Sequence, residues 1–206
     1  MEVINIETWN RKEHYEHFSS LADPYFGLTI PFDVSKAYQF AKTNKVSFFA
    51  KYLHDCMKAI NDVDELKLRI VNSQVVKYDV IHASPTIMRD NHTFGFSFVE
   101  FDYNLNTFIN NFEGEKLRIN TSTNLYPPNN SLDCIHCSAM PWLEFSGHKE
   151  PVSRILDSVP KLAFSKVKKE THNKLKMNVA INVNHALVDG YHVSLFAEKF
   201  QQNLNK

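Results

Sequence analysis

A short segment near the C-terminus carries the residues best suited to acid–base chemistry. His185 is followed by Asp189 and then by Gly190. An imidazole, with its ordinary pKa of about 6.5, can take a proton from a hydroxyl at neutral pH if it stays neutral and a second contact fixes its tautomer. The oxygen activated in this way can attack an acyl thioester directly. Gly190 would allow a sharp turn, and a buried Asp189 would need a cationic partner.

Two other interpretations fit the same residues. A histidine satisfied by backbone groups in the core, followed by an aspartate that caps a helix, explains them without any chemistry. A metal site is the second: His185, Asp189 and His192 would share a face of one continuous helix, with Cys134 and Cys137 as a further pair. The strand pattern before His185 argues against that helix, so we expect no metal.

The elements around His185 follow from hydrophobic periodicity. Apolar residues occupy the odd positions from Leu175 to Val183 and polar residues occupy most of the even ones, which predicts a strand with one buried face. If the strand continues one step further, His185 lies on the buried side. A helical stripe then follows, with Asp189 at its N-cap; its members are Val193, Phe196, Ala197 and Phe200.

The rest of the chain alternates between helix and strand signals. Two helices are predicted between Asp33 and Asn61, with Ser35 and Ser47 as caps. Strands are predicted at 74–88, 94–98 and 133–145, and a short helix followed by a long loop at 104–130. These elements indicate an α+β fold, an α/β two-layer sandwich in which helices pack on one face of a mixed β-sheet. We expect residues 1–206 to form a single domain.

Composition excludes several classes of function. The 206 residues include 23 basic and 23 acidic side chains, so the chain lacks the positive field that nucleic acids or a polybasic membrane patch require. No signal peptide and no apolar stretch of about 18 residues is present, so we expect no membrane partner. Three cysteines, an odd number, fit a reducing compartment and a cytoplasmic protein.

Three separated segments together resemble the chloramphenicol acetyltransferases, which belong to a wider group of CoA-dependent acyltransferases. The first reads His-Ala-Leu-Val-Asp-Gly-Tyr-His-Val at 185–193, the second Thr-Trp-Asn-Arg-Lys-Glu-His at 8–14, and the third Ser-Ala-Met-Pro-Trp at 138–142. Residues 64–69 and 93–95 also fall in the family's order and spacing. The resemblance covers nearly the whole chain and implies the same fold.

The resemblance implies a role for each matching residue. His185 would be the general base that removes the proton of the alcohol. Ser138 would donate a hydrogen bond to the oxyanion of the tetrahedral intermediate. Arg11 would pair with Asp189 and hold the turn so that His185 points correctly; Asp189 is then structural and carries no proton.

The family is trimeric, and its histidine comes from one subunit while much of the pocket comes from the neighbour. The resemblance therefore implies a homotrimer that uses acetyl-CoA as co-substrate, with no tightly bound cofactor. Aromatic residues matching the family pocket are Phe18, Phe26, Phe94 and Tyr126, although core packing would explain each one equally well. The lysines that could meet the CoA phosphates are Lys166, Lys168 and Lys169, although a solvated lysine run explains them too.

The chain departs from the family near the pocket. Residues 146–150 read Ser-Gly-His-Lys-Glu where the family has an apolar wall, and Ala163 stands where we would place a pocket threonine. We therefore expect a chloramphenicol O-acetyltransferase that gives antibiotic resistance. The alternative is a related CoA-dependent O-acyltransferase that acts on a different hydroxyl or xenobiotic acceptor. The core of a 2-oxo-acid dehydrogenase acyltransferase is disfavoured, since the chain begins at its first signature without lipoyl segments. A metal-binding or non-catalytic binding protein is the alternative of another class.

Overall fold

The computed structural model describes residues 1–151 and 157–206. Within these residues the helices are α1 (Lys12–Ser19), α2 (Ser35–Asn44), α3 (Phe48–Asn61), α4 (Leu105–Asn120) and α5 (Gly190–Leu204). The strands are β1 (Glu2–Val3), β2 (Tyr25–Asp33), β3 (Leu68–Val71), β4 (Gln74–Lys77), β5 (His82–Met88), β6 (Phe94–Phe96), β7 (Cys134–Met140), β8 (Lys161–Ser165), β9 (Lys168–Lys169) and β10 (Leu175–Asn184).

The main sheet has the strand order β2-β10-β8-β7-β5-β6, and β9 pairs with the start of β10. The contacts β5–β7 and β7–β8 are parallel, and the other pairs of this sheet are antiparallel. A second, small sheet has the order β1-β4-β3. The predicted fold class, an α+β fold with helices packed against a mixed sheet, is confirmed.

Strand β10 follows the predicted alternation. Met177, Val179, Ile181 and Val183 are all buried in the core, and β10 pairs with β2 along its length, from Lys176–Asp33 to Asn184–Tyr25. The strand ends at Asn184, so the expectation that His185 continues it on the buried side is wrong. The backbone turns there because both oxygens of Asn184 accept hydrogen bonds from the residues that follow. The side-chain Oδ1 accepts from the Ala186 N–H, and the backbone carbonyl oxygen accepts from the Leu187 N–H. His185 lies in this turn with 34% of its side chain exposed.

The helix starts agree only partly with the predicted caps. The Ser47 hydroxyl accepts from the Ala50 N–H at 3.3 Å and caps α3. Ser35 does not cap α2, which has Val34 at its N-cap; its hydroxyl instead accepts from the Leu175 N–H. Helix α4 is a 16-residue helix rather than a short one, and Asn104 caps it.

A buried arginine fixes the start of β7, the strand that carries Ser138. Arg69 is fully buried and donates to the carbonyl oxygens of Leu66, Leu68, Leu132 and Cys134. Burial lowers the pKa of its guanidinium to about 10, so the group stays charged at neutral pH.

No helix in the described residues is long and apolar enough to cross a membrane.

Candidate active site

Two aromatic rings hold the imidazole of His185. The ring of Phe18, on α1, is stacked on it with centroids 3.9 Å apart and an interplanar angle of 9°. The ring of Phe26, on β2, lies 4.6 Å away at 47°. The backbone N–H of His185 donates to the carbonyl oxygen of Pro24 at 2.8 Å. Ring and backbone are therefore both restrained although the side chain is partly exposed.

Arg11 joins the two ends of the turn that contains His185. Its Nη1 donates to Asp189 Oδ2, and its Nη2 donates to Asp189 Oδ1 at 3.0 Å and to the carbonyl oxygen of His185 at 3.3 Å. Only 9% of Arg11 is exposed. The Arg11 guanidinium, which hydrogen-bonds to the Asp189 carboxylate, holds the pKa of Asp189 below its usual range. One cation therefore ties the carboxylate and the histidine backbone together.

The two nitrogens of His185 have different surroundings. Nδ1 lies 3.1 Å from Asp189 Oδ1, yet the alignment is too poor for a hydrogen bond and Nδ1 has no other partner among the described residues. The contact is thus electrostatic. In the described parts of the chain Nε2 makes no hydrogen bond, which leaves it available to take a proton from a bound hydroxyl.

Ser138 lies on β7 and faces away from the helices, since its neighbour Cys137 points into the core. It pairs with Ala163, which pairs with Ala180 of β10. Strand β10 runs four residues beyond Ala180 before the turn that contains His185. The α-carbons of Ser138 and His185 are therefore separated by roughly 13 Å or more along the strands and by roughly 10 Å across them. Side chains cannot bridge that separation, so Ser138 and His185 of one chain do not share a site.

The predicted pocket residues also separate into two groups. Phe18 and Phe26 contact His185. Phe94 and Tyr126 instead pack on Phe96 of β6, with ring centroids 5.4 and 5.5 Å from it, at the sheet edge opposite β2. Within one chain the four aromatic residues therefore do not line a common pocket.

The three candidate CoA lysines are exposed at the end of the sheet where β7 and β8 finish. Lys166 follows β8 directly, and its N–H donates to the carbonyl oxygen of Leu143. Lys168 and Lys169 form β9, and the Lys168 ammonium lies 3.5 Å from Glu144. These lysines lie beyond Ser138 and far from His185 of the same chain.

Residues 146–150, the segment that departs from the family, cover a polar cavity of about 220 Å³. The walls on the sheet are Tyr25, Gly27, Lys161 and Asn182, and the segment contributes His148 and Glu150 among others. Gly27 leaves room for the Asn182 side chain, which would have to shift if a Cβ were present at this position. Asn182 pairs with Lys161, two residues before Ala163, so the cavity lies on the same sheet face as Ser138.

The hypothetical metal site lacks the helix that it requires. Residues 175–184 form a strand and α5 begins only at Gly190, so His185, Asp189 and His192 do not share one helical face. In the described ranges no group of three or more His, Cys, Asp or Glu side chains is arranged to hold a metal ion.

Sequence reasoning missed a role for His192 other than metal binding. Its Nδ1 accepts the backbone N–H of Asp189 at 2.9 Å, and its Nε2 lies 3.6 Å from Glu65. The available signal was its spacing from Asp189, because an acceptor side chain three residues after an N-cap residue can complete a capping box.

Comparison with known proteins decides the family. The family model described as chloramphenicol acetyltransferase matches residues 1–201. The chain belongs to this family. A chloramphenicol acetyltransferase from Bacillus pumilus is 28% identical over 197 residues, which cover 93% of this chain and 88% of that protein. The chain is therefore an acyltransferase.

Solved structures agree with the chloramphenicol acetyltransferase family. A structure of a chloramphenicol acetyltransferase superposes with a TM-score of 0.87 at 26% identity, covering 98% of this chain and 99% of that one. The cubic core of the pyruvate dehydrogenase multienzyme complex superposes with a TM-score of 0.70 at 11% identity, covering 93% of this chain and 86% of that one. The second likeness concerns the fold alone.

Replacing Arg11 with alanine should lower kcat by about 10²-fold, because the turn that aims His185 loses its clamp. It should also remove the stabilisation of ionised Asp189. That stabilisation is present above the unfolded-state pKa of about 3.9 and is lost as the pH falls through the lowered folded-state pKa. Wild type should therefore exceed the variant in unfolding free energy at pH 7, and the difference should shrink as the pH falls through the lowered pKa of Asp189, as measured by urea titration.

The matched control for this variant is Lys12→Ala, which removes the neighbouring cation and an exposed ion pair with Glu7. It should leave both kcat and the pH dependence of stability near those of wild type. An Arg11→Ala enzyme with wild-type kcat would show that the clamp is not needed.

Proposed function

We propose that this protein transfers the acetyl group of acetyl-CoA to a hydroxyl of chloramphenicol and so confers resistance to the antibiotic. His185 Nε2 takes the hydroxyl proton while the oxygen attacks the thioester carbonyl. The resulting oxyanion accepts a hydrogen bond from the Ser138 hydroxyl. The C–S bond then breaks, and the CoA thiolate takes the proton from the imidazolium. The observation that carries this proposal is the restrained turn, in which Arg11 and Asp189 fix the backbone around His185, and Nε2 makes no hydrogen bond to any residue that the structure describes.

The proposed assembly is a homotrimer with its active sites between subunits. The separation of Ser138 and His185 within one chain supports this arrangement, since a second copy must supply the missing partner. In this arrangement Phe18 and Phe26 of one subunit and Phe94 and Tyr126 of the next line the pocket for the alcohol. The exposed lysines Lys166, Lys168 and Lys169 are proposed to meet the phosphates of CoA.

We further propose that residues 1–206 form one domain, that the enzyme works in the cytoplasm, and that it holds no tightly bound cofactor. The pairing of β2 with β10, from opposite ends of the chain, supports a single unit. The three cysteines are free and buried, which fits a reducing compartment.

A second candidate function is O-acylation of a different, more polar alcohol. The polar cavity lined by His148, Glu150, Lys161 and Asn182 favours this candidate, because it lies on the Ser138 face and offers hydrogen-bonding groups where an apolar wall was expected.

The experiment that separates these functions follows free CoA thiol released from acetyl-CoA by the purified enzyme. Release that depends on chloramphenicol is the expected result. Release with polyhydroxyl alcohols but not with chloramphenicol would keep the mechanism and replace the acceptor alcohol. An absence of release with every alcohol tried would overturn the proposed function.

A further inference from the structure

His192 contacts the backbone of the turn that contains His185, at the amide of Asp189, whereas Arg11 binds the carboxylate of the same residue. It is the third residue of α5, it is buried except for 12% of its side chain, and its Nδ1 accepts the N–H of Asp189 at 2.9 Å. An accepting Nδ1 carries no proton, so the ring proton is on Nε2. The contact therefore defines the tautomer of His192.

Glu65 lies on the other side of the His192 ring. It belongs to the short 3-10 turn Asp64–Lys67, which packs against α3. One of its carboxylate oxygens is 3.6 Å from His192 Nε2, the nitrogen that carries the proton. An acidic oxygen near that N–H favours the tautomer in which Nδ1 remains an acceptor.

The two contacts continue into the active site. The backbone N–H of Asp189 donates to His192, and its carboxylate accepts from Arg11. One oxygen of that carboxylate lies 3.1 Å from His185 Nδ1. A shift of the Asp189 backbone would therefore move the Asp189 carboxylate and, with it, the Arg11 guanidinium. Because Arg11 also binds the backbone carbonyl of His185, that residue would move as well.

We infer that His192, oriented by Glu65, is a positioning residue for the general base: it holds the Asp189 amide and so fixes the turn that aims His185. The inference rests on the proposed role of His185. His192 itself takes no part in proton transfer, because Asp189 lies between it and His185 and its Nδ1 is already occupied.

The test compares His192→Leu, which removes the hydrogen-bond acceptor, with His192→Gln, which restores one at the capping-box position. The leucine variant should lose up to about tenfold in kcat, the loss expected for one hydrogen bond, with both KM values within about twofold of wild type. The glutamine variant should recover most of kcat. Ser194→Ala, an exposed change on the same helix, serves as the control and should leave both kcat and thermal stability near those of wild type.

A double-variant cycle adds a measurement that a merely structural role would not affect. In an Arg11→Ala background the turn that contains His185 has already lost its contacts with Arg11. His192→Leu should therefore lower kcat less in that background than it does in wild type. Fully additive losses, a leucine variant with wild-type kcat, or a glutamine variant as impaired as the leucine variant would each overturn the inference.

An arm without turnover separates this inference from the proposed function. In His192→Leu the Asp189 amide should exchange with solvent faster, and the NMR signals of the His185 ring should shift; His192→Gln should reverse both changes. If wild type acylates no alcohol, the proposed function fails, and these signals alone decide the positioning contact. Unchanged signals in the leucine variant would overturn it.

Discussion

Replacement of His185 by alanine is expected to reduce kcat for acetyl transfer by about 10²- to 10⁴-fold, the range typical of a lost general base. The fold should be little affected, since a third of the side chain is exposed and it makes no hydrogen bond within the described residues. Thiol release under saturating substrates measures the change, and thermal unfolding checks the fold.

The control for this variant is His172→Asn. His172 lies in an exposed turn with φ 59°, a conformation that asparagine tolerates, so activity should remain that of wild type. Added imidazole should partly restore His185→Ala, because the space between Phe18 and solvent becomes free. Alcohol-dependent release that persists undiminished in His185→Ala would remove the catalytic assignment.

Replacement of Ser138 by alanine is expected to lower kcat by about 10²- to 10³-fold, the usual effect of removing one oxyanion donor. KM values should change little, because the charge that Ser138 would stabilise develops only in the transition state. Steady-state kinetics with acetyl-CoA and the alcohol separate the two constants.

The matched control is Ser194→Ala, which removes an exposed hydroxyl from α5. A Ser138→Ala enzyme in which KM rises and kcat is unchanged would place the hydroxyl in ground-state binding instead of oxyanion stabilisation.

The sequence was most informative where local periodicity and burial agree. The alternation that predicts β10 and the stripe that predicts α5 have most of their apolar residues in the core, while Leu175 and Ala197 are partly buried against it. Ser47 was recognisable as a cap because an amphipathic helix follows it at once. Ser35 has the same cap-forming chemistry, yet its hydroxyl is used by the Leu175 N–H of a distant strand. Tertiary pairing of this kind leaves no local signal.

The site was predictable in its residues but not in its arrangement. The residues alone indicated only that a buried Asp189 would need a cationic partner. Its pairing with Arg11 was expected from the resemblance to the family, and the structure shows that ion pair. The separation of Ser138 from His185 depends on strand order and register, which no local pattern encodes. The cavity under 146–150 likewise depends on how that segment folds over the sheet.

Complementation between two inactive variants tests the central claim, that His185 and the Ser138 of a neighbouring subunit form one site. When His185→Ala and Ser138→Ala chains are co-expressed in equal amounts, about one quarter of the interfaces in randomly mixed trimers should combine an intact histidine with an intact serine. The mixed enzyme should therefore recover about one quarter of wild-type kcat per site, far above either parent. Activity equal to the mean of the two parents, in trimers verified to contain both chains, would contradict the account.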